Sequence, residues 1–94
     1  MELPSDLKER LRDVLPEKYH SCIESAGSSA RNCKIIRNQL IKMGNIRLEP
    51  EMIIKSFREG SEIEKVLAPA VYALKCRKLH REIVDFWNRY GKQF

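Results

Sequence analysis

Apolar residues recur at steps of three and four along most of the chain, the spacing that places side chains on one face of an α-helix. No stretch alternates apolar and polar residues for long, and the glycines and prolines interrupt helical patterns instead of strand patterns. The pattern therefore predicts an all-α fold, a compact bundle of about five helices with a long C-terminal helix.

Two helical segments are predicted before the middle of the chain. Ser5 is expected to cap the first, which ends where Pro16 interrupts the pattern. Glu17–Ala26 continues as a second segment, and Gly27 is the residue type that commonly ends a helix in the left-handed conformation. Residues 1–27 thus form the N-terminal helices of a single domain.

Three further helices carry recognisable start and stop signals. Ser28–Ser29 caps the first and Gly44 ends it, Pro50 stands at the first helical position of the next, and Ser61–Glu64 is a capping box that opens a brief helix before Pro69. The predicted helices are Ala30–Met43, Glu49–Arg58 and Ser61–Leu67.

The residues from Ala70 to Phe94 are predicted to form one long amphipathic helix that carries the only tryptophan of the chain. Such a helix spans roughly 30 Å, so its apolar face has to be buried against the other helices. The residues predicted to form the buried core are Leu40, Phe57, Leu79, Ile83 and Trp87.

Length, charge and cysteine usage narrow the class of protein. The 94 residues suit one small domain, numbered 1–94, and no apolar run is long enough to cross a membrane. Three cysteines within helical apolar patterns favour buried thiols in a reducing compartment, the cytosol or nucleus. The net charge of +5 favours acidic partners, with Lys and Arg spread over the helices and densest in Lys75–Arg81.

Catalytic and metal-binding signals are weak. His20 and His80 lie in helical segments outside any catalytic motif, and the cysteines have no nucleophile signature around them. Cys76 and His80 are four residues apart and can share a helix face, but His20 and Cys22 are two apart and point in different directions. The sequence therefore predicts no enzyme, no metal site and no cofactor.

Nucleic-acid binding is the main alternative that the residues leave open. Glu49–Leu67 has the outline of a helix-turn-helix, and the run Lys75–Arg81 offers cations for phosphates. Glu62 and Glu64 would repel a phosphate backbone from the short second helix, although acids at a helix start also serve the cap and the helix dipole. A small basic helix-turn-helix DNA-binding domain therefore remains the alternative function.

From Arg31 onward the chain resembles the N-terminal domain family of the transcription elongation factor TFIIS. The ordered segments that carry the resemblance are Cys33–Met43, Asn45–Leu48, Ile53–Val66 and Leu79–Arg89. Arg47 and Glu49 depart from the family's Pro-x-Thr link, and Pro16 breaks the first helix. The resemblance makes residues 28–91 the family-like core. A shorter stretch, which begins at Gly60, resembles lentiviral matrix proteins, so a matrix-like structural protein is the second alternative.

The TFIIS-domain resemblance implies a non-catalytic protein–protein interaction module of a nuclear transcription elongation or regulatory factor. Members of that family bind short linear motifs from disordered regions of other transcription proteins at an apolar surface near the inter-helix loops, with basic residues engaging acidic flanks. Acidic-hydrophobic peptides are therefore the expected partners, and nucleic acid is a secondary one. By family position, the residues expected to bind the partner are Ile23, Ser28, Arg31, Lys34, Ala68, Pro69, Val71, Lys75 and Lys78.

Overall fold

A computed structural model describes residues 3–26, 28–75 and 80–91, apart from the side chains of His80 and Ile83. Within these residues the chain forms six α-helices, a short 3-10 turn at Glu17–Tyr19 and no strand, which confirms the all-α prediction. The fold measures 31 × 27 × 22 Å along its three principal axes. The helices are α1 (Ser5–Val14), α2 (His20–Ser25), α3 (Ala30–Gly44), α4 (Pro50–Glu59), α5 (Glu62–Lys75) and α6 (His80–Tyr90).

Helix α5 lies at the centre of the bundle and packs against α3, α4 and α6. Every residue from Leu67 to Val71 is buried, and so are Ala73 and Leu74. An unbroken apolar run of this kind is typical of a helix that is enclosed on all sides. Charged side chains are accordingly confined to the two ends of α5.

Pro69 lies inside α5, so the predicted helix break at this residue is wrong. A proline in a helix interior removes one backbone hydrogen bond and costs about 3 kcal/mol. The side chain of Pro69 is fully buried among its apolar neighbours, and this burial offsets part of that cost. Tertiary packing therefore outweighs the local preference of proline to end the helix.

The predicted long C-terminal helix is two helices in the structure, α5 and α6. The rings of Tyr72 and Phe86 stack with centroids 4.1 Å apart and planes 18° apart. In one straight helix these residues would be separated by about 21 Å along the axis. Helix α6 therefore packs back onto α5 and does not continue it in a straight line.

Aromatic rings connect α6 to α4 as well as to α5. The ring of Phe86 lies 4.7 Å from that of Tyr90, and the Tyr90 ring meets Phe57 edge-on at 5.1 Å. Offset and edge-to-face pairs add a little stability beyond their burial. These contacts position the last helix on the bundle.

The predicted core residues have different outcomes. Leu40 and Trp87 are buried, as predicted, whereas Phe57 is only half-buried at the edge of the core. Leu79 and the side chain of Ile83 lie outside the described part of the structure. Other buried side chains from five helices complete the core, among them Leu7, Leu11, Ile23, Ile36, Ile53, Leu67 and Leu74.

The predicted side-chain caps form at two of three helix starts. The Ser29 hydroxyl accepts a hydrogen bond from the Asn32 N–H at 3.2 Å and caps α3. Ser61 and Glu64 form the predicted capping box, and their side chains are joined by a 3.0 Å hydrogen bond. Ser5 is not a cap, because it is the first helical residue and Pro4 precedes it without a side-chain cap.

Glycine is used for close contact at the end of α3. Gly44 is the last helical residue, and Asn45 follows it with a φ of 52° in the left-handed region. A Cβ atom on Gly44 would lie 2.9 Å from Cδ1 of the buried Ile46. The helix therefore ends one residue later than predicted, with Asn45 in the left-handed conformation that asparagine tolerates. Gly44 is small enough for the Ile46 side chain to pack directly against it.

Candidate interaction surface

The histidine and cysteine whose contacts the structure gives are engaged by the backbone. His20 Nε2 lies 3.2 Å from the carbonyl oxygens of both Arg12 and Leu15, at the end of α1. Cys33 is buried, and its Sγ donates to the Leu74 carbonyl at 3.2 Å. Both groups therefore take part in helix packing.

No three His, Cys, Asp or Glu side chains in the described part of the chain come together as a potential metal site. The sequence candidates Cys76 and His80 fall outside the side chains that the structure describes. The predicted absence of a metal site or an enzyme activity stays a prediction.

Four of the nine predicted partner-binding residues are buried. Ile23, Ala68, Pro69 and Val71 have almost no surface exposed to solvent. A partner would reach them only if the bundle opened, because they fill the space around α5. A contribution of these four residues to docking would have to be indirect, through the position of their exposed neighbours.

Four other predicted partner-binding residues lie on the surface. Ser28, Arg31, Lys34 and Lys75 are all exposed to solvent. Lys78 lies outside the described residues. These exposed side chains are the members of the predicted set that a partner is able to contact directly.

The structure brings the exposed basic residues of α3 and α5 into one region. The hydrogen bond from Cys33 to Leu74 holds the first turns of α3 against the last turn of α5. Lys75 follows Leu74 directly, and its ammonium group donates to the Leu48 carbonyl in the link between α3 and α4. Arg31, Lys34 and Lys75 thus lie around one corner of the bundle.

Acidic and basic residues are segregated along the chain beyond the one dense basic run, Lys75–Arg81, that the sequence analysis names. The segments 25–48 and 65–81 each contain five basic residues, and neither contains an acidic one. The other eight basic residues lie in the rest of the chain, which also holds all thirteen acidic residues. The two acid-free segments supply most of α3 and α5, which are neighbours in the bundle. Two adjacent helices therefore carry basic residues with few acidic ones beside them, with Lys65 and Lys75 at the two ends of α5.

The exposed face of α3 also includes two residues that the sequence analysis did not single out, Asn38 and Lys42. Both are exposed, like Arg31 and Lys34. Helical spacing of three and four places these four residues in one row, which we call the α3 stripe (Arg31, Lys34, Asn38 and Lys42). The sequence signal for it was the lack of any acidic residue between Glu24 and Glu49.

Two surface cavities lie away from the α3 stripe. One, of about 430 Å³, is lined by four charged residues of α1 and three residues from the end of the chain that the structure describes: Asp6, Glu9, Arg10, Asp13, Trp87, Asn88 and Gly91. The other, of about 360 Å³, lies between the α3–α4 link and the α4–α5 turn and mixes Arg47 and Lys55 with Glu59 and Glu64. Both cavities are lined by acidic and basic side chains together. The lining therefore does not indicate a particular class of ligand.

No family model, curated protein or solved structure matches this chain. The resemblance to the TFIIS N-terminal domain family therefore stays a prediction from the sequence motifs. Within the described residues, none of the helices has the length and apolar character that a membrane span requires.

Proposed function

We propose that this protein is a non-catalytic protein–protein interaction module that docks short acidic-hydrophobic motifs from disordered regions of partner proteins. The observation that carries the proposal is the packing of α3, which lies in the acid-free segment 25–48, against α5, which has no acidic residue after Glu64. A nuclear role in transcription elongation or its regulation belongs to the same proposal, and the ordered motif resemblance from Arg31 onward supports it.

The charge of the corner suits an acidic ligand. Arg31 and Lys34 form no ion pair with any acidic residue in the described part of the structure, where Glu24 pairs with Lys8 and Arg12. Unpaired surface cations attract and orient an oppositely charged partner. They determine where the partner binds and how fast it associates more than they increase the binding affinity. A disordered ligand that becomes ordered on binding is expected to bind with moderate affinity.

Helix-turn-helix DNA binding is the less favoured function because of the position of α5. In that alternative α5 would enter the major groove, yet it is buried from Leu67 to Val71. Its exposed residues lie at its two ends, and the first turn carries Glu62 and Glu64. Phosphates repel such a surface, so the α4–α5 pair is a poor groove reader.

Parallel titrations distinguish the two functions. The labelled protein is titrated with an acidic-hydrophobic peptide and with duplex DNA, each at low and at physiological salt. We expect measurable peptide binding at both salt concentrations, whereas binding driven by phosphate contacts falls steeply as salt increases. DNA binding that exceeds peptide binding at physiological salt would reject the proposal.

A charge-reversal variant tests the residues. Arg31→Glu combined with Lys34→Glu is expected to weaken peptide binding by about tenfold, since two attractions become repulsions. Both side chains are exposed, so the melting temperature should stay within a few degrees of that of the parent protein. Unchanged affinity for the peptide would remove these two residues from the docking surface.

A further inference from the structure

The α3 stripe extends well beyond the corner at Lys75. Its four members, Arg31, Lys34, Asn38 and Lys42, are exposed along the full length of the helix. At about 100° of rotation per residue, they fall within an arc of about 80°. The buried residues Cys33, Ile36 and Leu40 lie on the opposite side of the helix. The stripe is therefore the outermost surface of α3.

No acidic side chain interrupts or neutralises this surface. Helix α3 contains none, and in the described part of the structure none forms an ion pair with Arg31, Lys34 or Lys42. The exposed lysine of α4 is a contrast, because Lys55 lies one helical turn from both Glu51 and Glu59. The stripe thus differs from the mixed surfaces elsewhere on the bundle.

Apolar groups border the stripe on both edges. By helical rotation, Ile35 lies at one edge and Ile41 at the other, and both side chains are half-buried. A ligand that lies on the stripe would contact the basic side chains along the middle of the stripe and the two isoleucine side chains along its edges. This arrangement suits a segment in which acidic and apolar residues alternate or intersperse.

From this geometry we infer that the ligand of the proposed module lies lengthwise on the α3 stripe, as an acidic-hydrophobic peptide segment that reaches from Arg31 to Lys42. The inference rests on the proposed function and assigns its contact surface. The rise from Arg31 to Lys42 is about 16 Å, which matches about five extended residues or about three turns of a helical ligand. The corner with Lys75 is then one end of the surface.

The flanks of α3 favour a peptide over duplex DNA on this surface. The Tyr19 hydroxyl donates to Gln39 Oε1 at 3.2 Å on one flank, and Cys33 contacts Leu74 on the core side of the helix. Since α2 and α5 both pack against α3, only its outer surface is open, whereas a groove-reading helix has to reach base edges between two phosphate backbones. A narrow peptide segment needs only the outer stripe.

Single lysine reversals at matched exposure test the inference. Lys42→Glu lies at the end of the stripe away from the corner, and Lys55→Glu makes the same change in net charge on α4. The probe is a fluorescein-labelled peptide of Glu and Leu residues, and its affinity is measured by fluorescence anisotropy at physiological salt. We expect Lys42→Glu to weaken binding about fivefold and Lys55→Glu to change it less than about twofold.

The outcomes separate the inference from the proposed function. If Arg31→Glu/Lys34→Glu weakens peptide binding and Lys42→Glu does not, the lengthwise placement is overturned while the docking function stands. Equal losses in Lys42→Glu and Lys55→Glu would also overturn it, since they indicate a response to net charge alone. A parent protein that does not bind the peptide, or that binds labelled duplex DNA more tightly, overturns the inference together with the function. Melting curves of each variant establish that the fold is retained.

Discussion

Replacement of Trp87 by alanine is the most demanding test of how the last helix is held on the bundle. The indole is only 4% exposed and belongs to the buried core. One turn later, Gly91 approaches it so closely that a Cβ atom there would lie 2.8 Å from the indole carbons Cδ2 and Cε2. Residues of α1 share a cavity wall with Trp87. The side chain therefore packs α6 against the buried core.

The expected loss follows from burial and from the cavity that is left. Truncation of a buried tryptophan to alanine costs about 3–5 kcal/mol, because transfer free energy is lost and the site relaxes only in part. A domain of this length has a free energy of unfolding of about 5–14 kcal/mol in total. For a domain of this size each kcal/mol corresponds to about 4–8 °C, so Trp87→Ala should lower the melting temperature by about 15 °C or more.

Thermal and urea unfolding followed by far-ultraviolet circular dichroism measure this loss, since the variant has no tryptophan left for fluorescence. Leu48→Ala is the matched control, because Leu48 is 42% exposed and its truncation should cost less than about 0.5 kcal/mol. Trp87→Phe keeps an aromatic ring and should lie between the two. A Trp87→Ala protein that melts within a few degrees of the parent would refute the packing of α6 described above.

Three local predictions use the same unfolding measurements. Ser29→Ala and Ser61→Ala each remove a helix cap and should cost about 1 kcal/mol, and a loss near zero at either position would mean that its hydrogen bonds do not contribute. Gly60→Ala places a Cβ atom against the Ser56 carbonyl and 2.7 Å from Glu64 Cβ, so it should cost about 1–3 kcal/mol; a stabilised variant would contradict this geometry. Glu24→Gln removes the ion pairs to Lys8 and Arg12 and should cost less than about 1 kcal/mol, with the difference shrinking in high salt; a larger loss would imply a role beyond these exposed pairs.

Local signals predicted the helix starts well because their physics is local. The cap at Ser29 and the box at Ser61 involve residues three positions apart, and both form as their spacing predicts. Pro50 stands at the first helical position of α4 for the same reason. At these positions no distant part of the chain has to be known.

Prediction failed where tertiary packing decides the outcome. The local effect of Pro69 is to end a helix, but burial of α5 on all sides keeps the helix continuous through it. No proline or glycine separates the sequences of α5 and α6, and the amphipathic spacing continues from one to the other. Periodicity alone does not distinguish one long helix from two helices packed against each other.

The burial of α5 also explains why the exposed row of basic residues lies on α3. Because α5 is enclosed, the basic residues of segment 65–81 that the structure describes within it, Lys65 and Lys75, lie at its ends. A continuous basic surface therefore has to come from a helix with one free face, and α3 is the helix without acidic residues. That face is opposite the core, so reversing Lys42 changes the surface potential and leaves the packing intact. Substitution of Ile23 or Val71 would instead disturb the core, and any loss of binding would follow from loss of the fold.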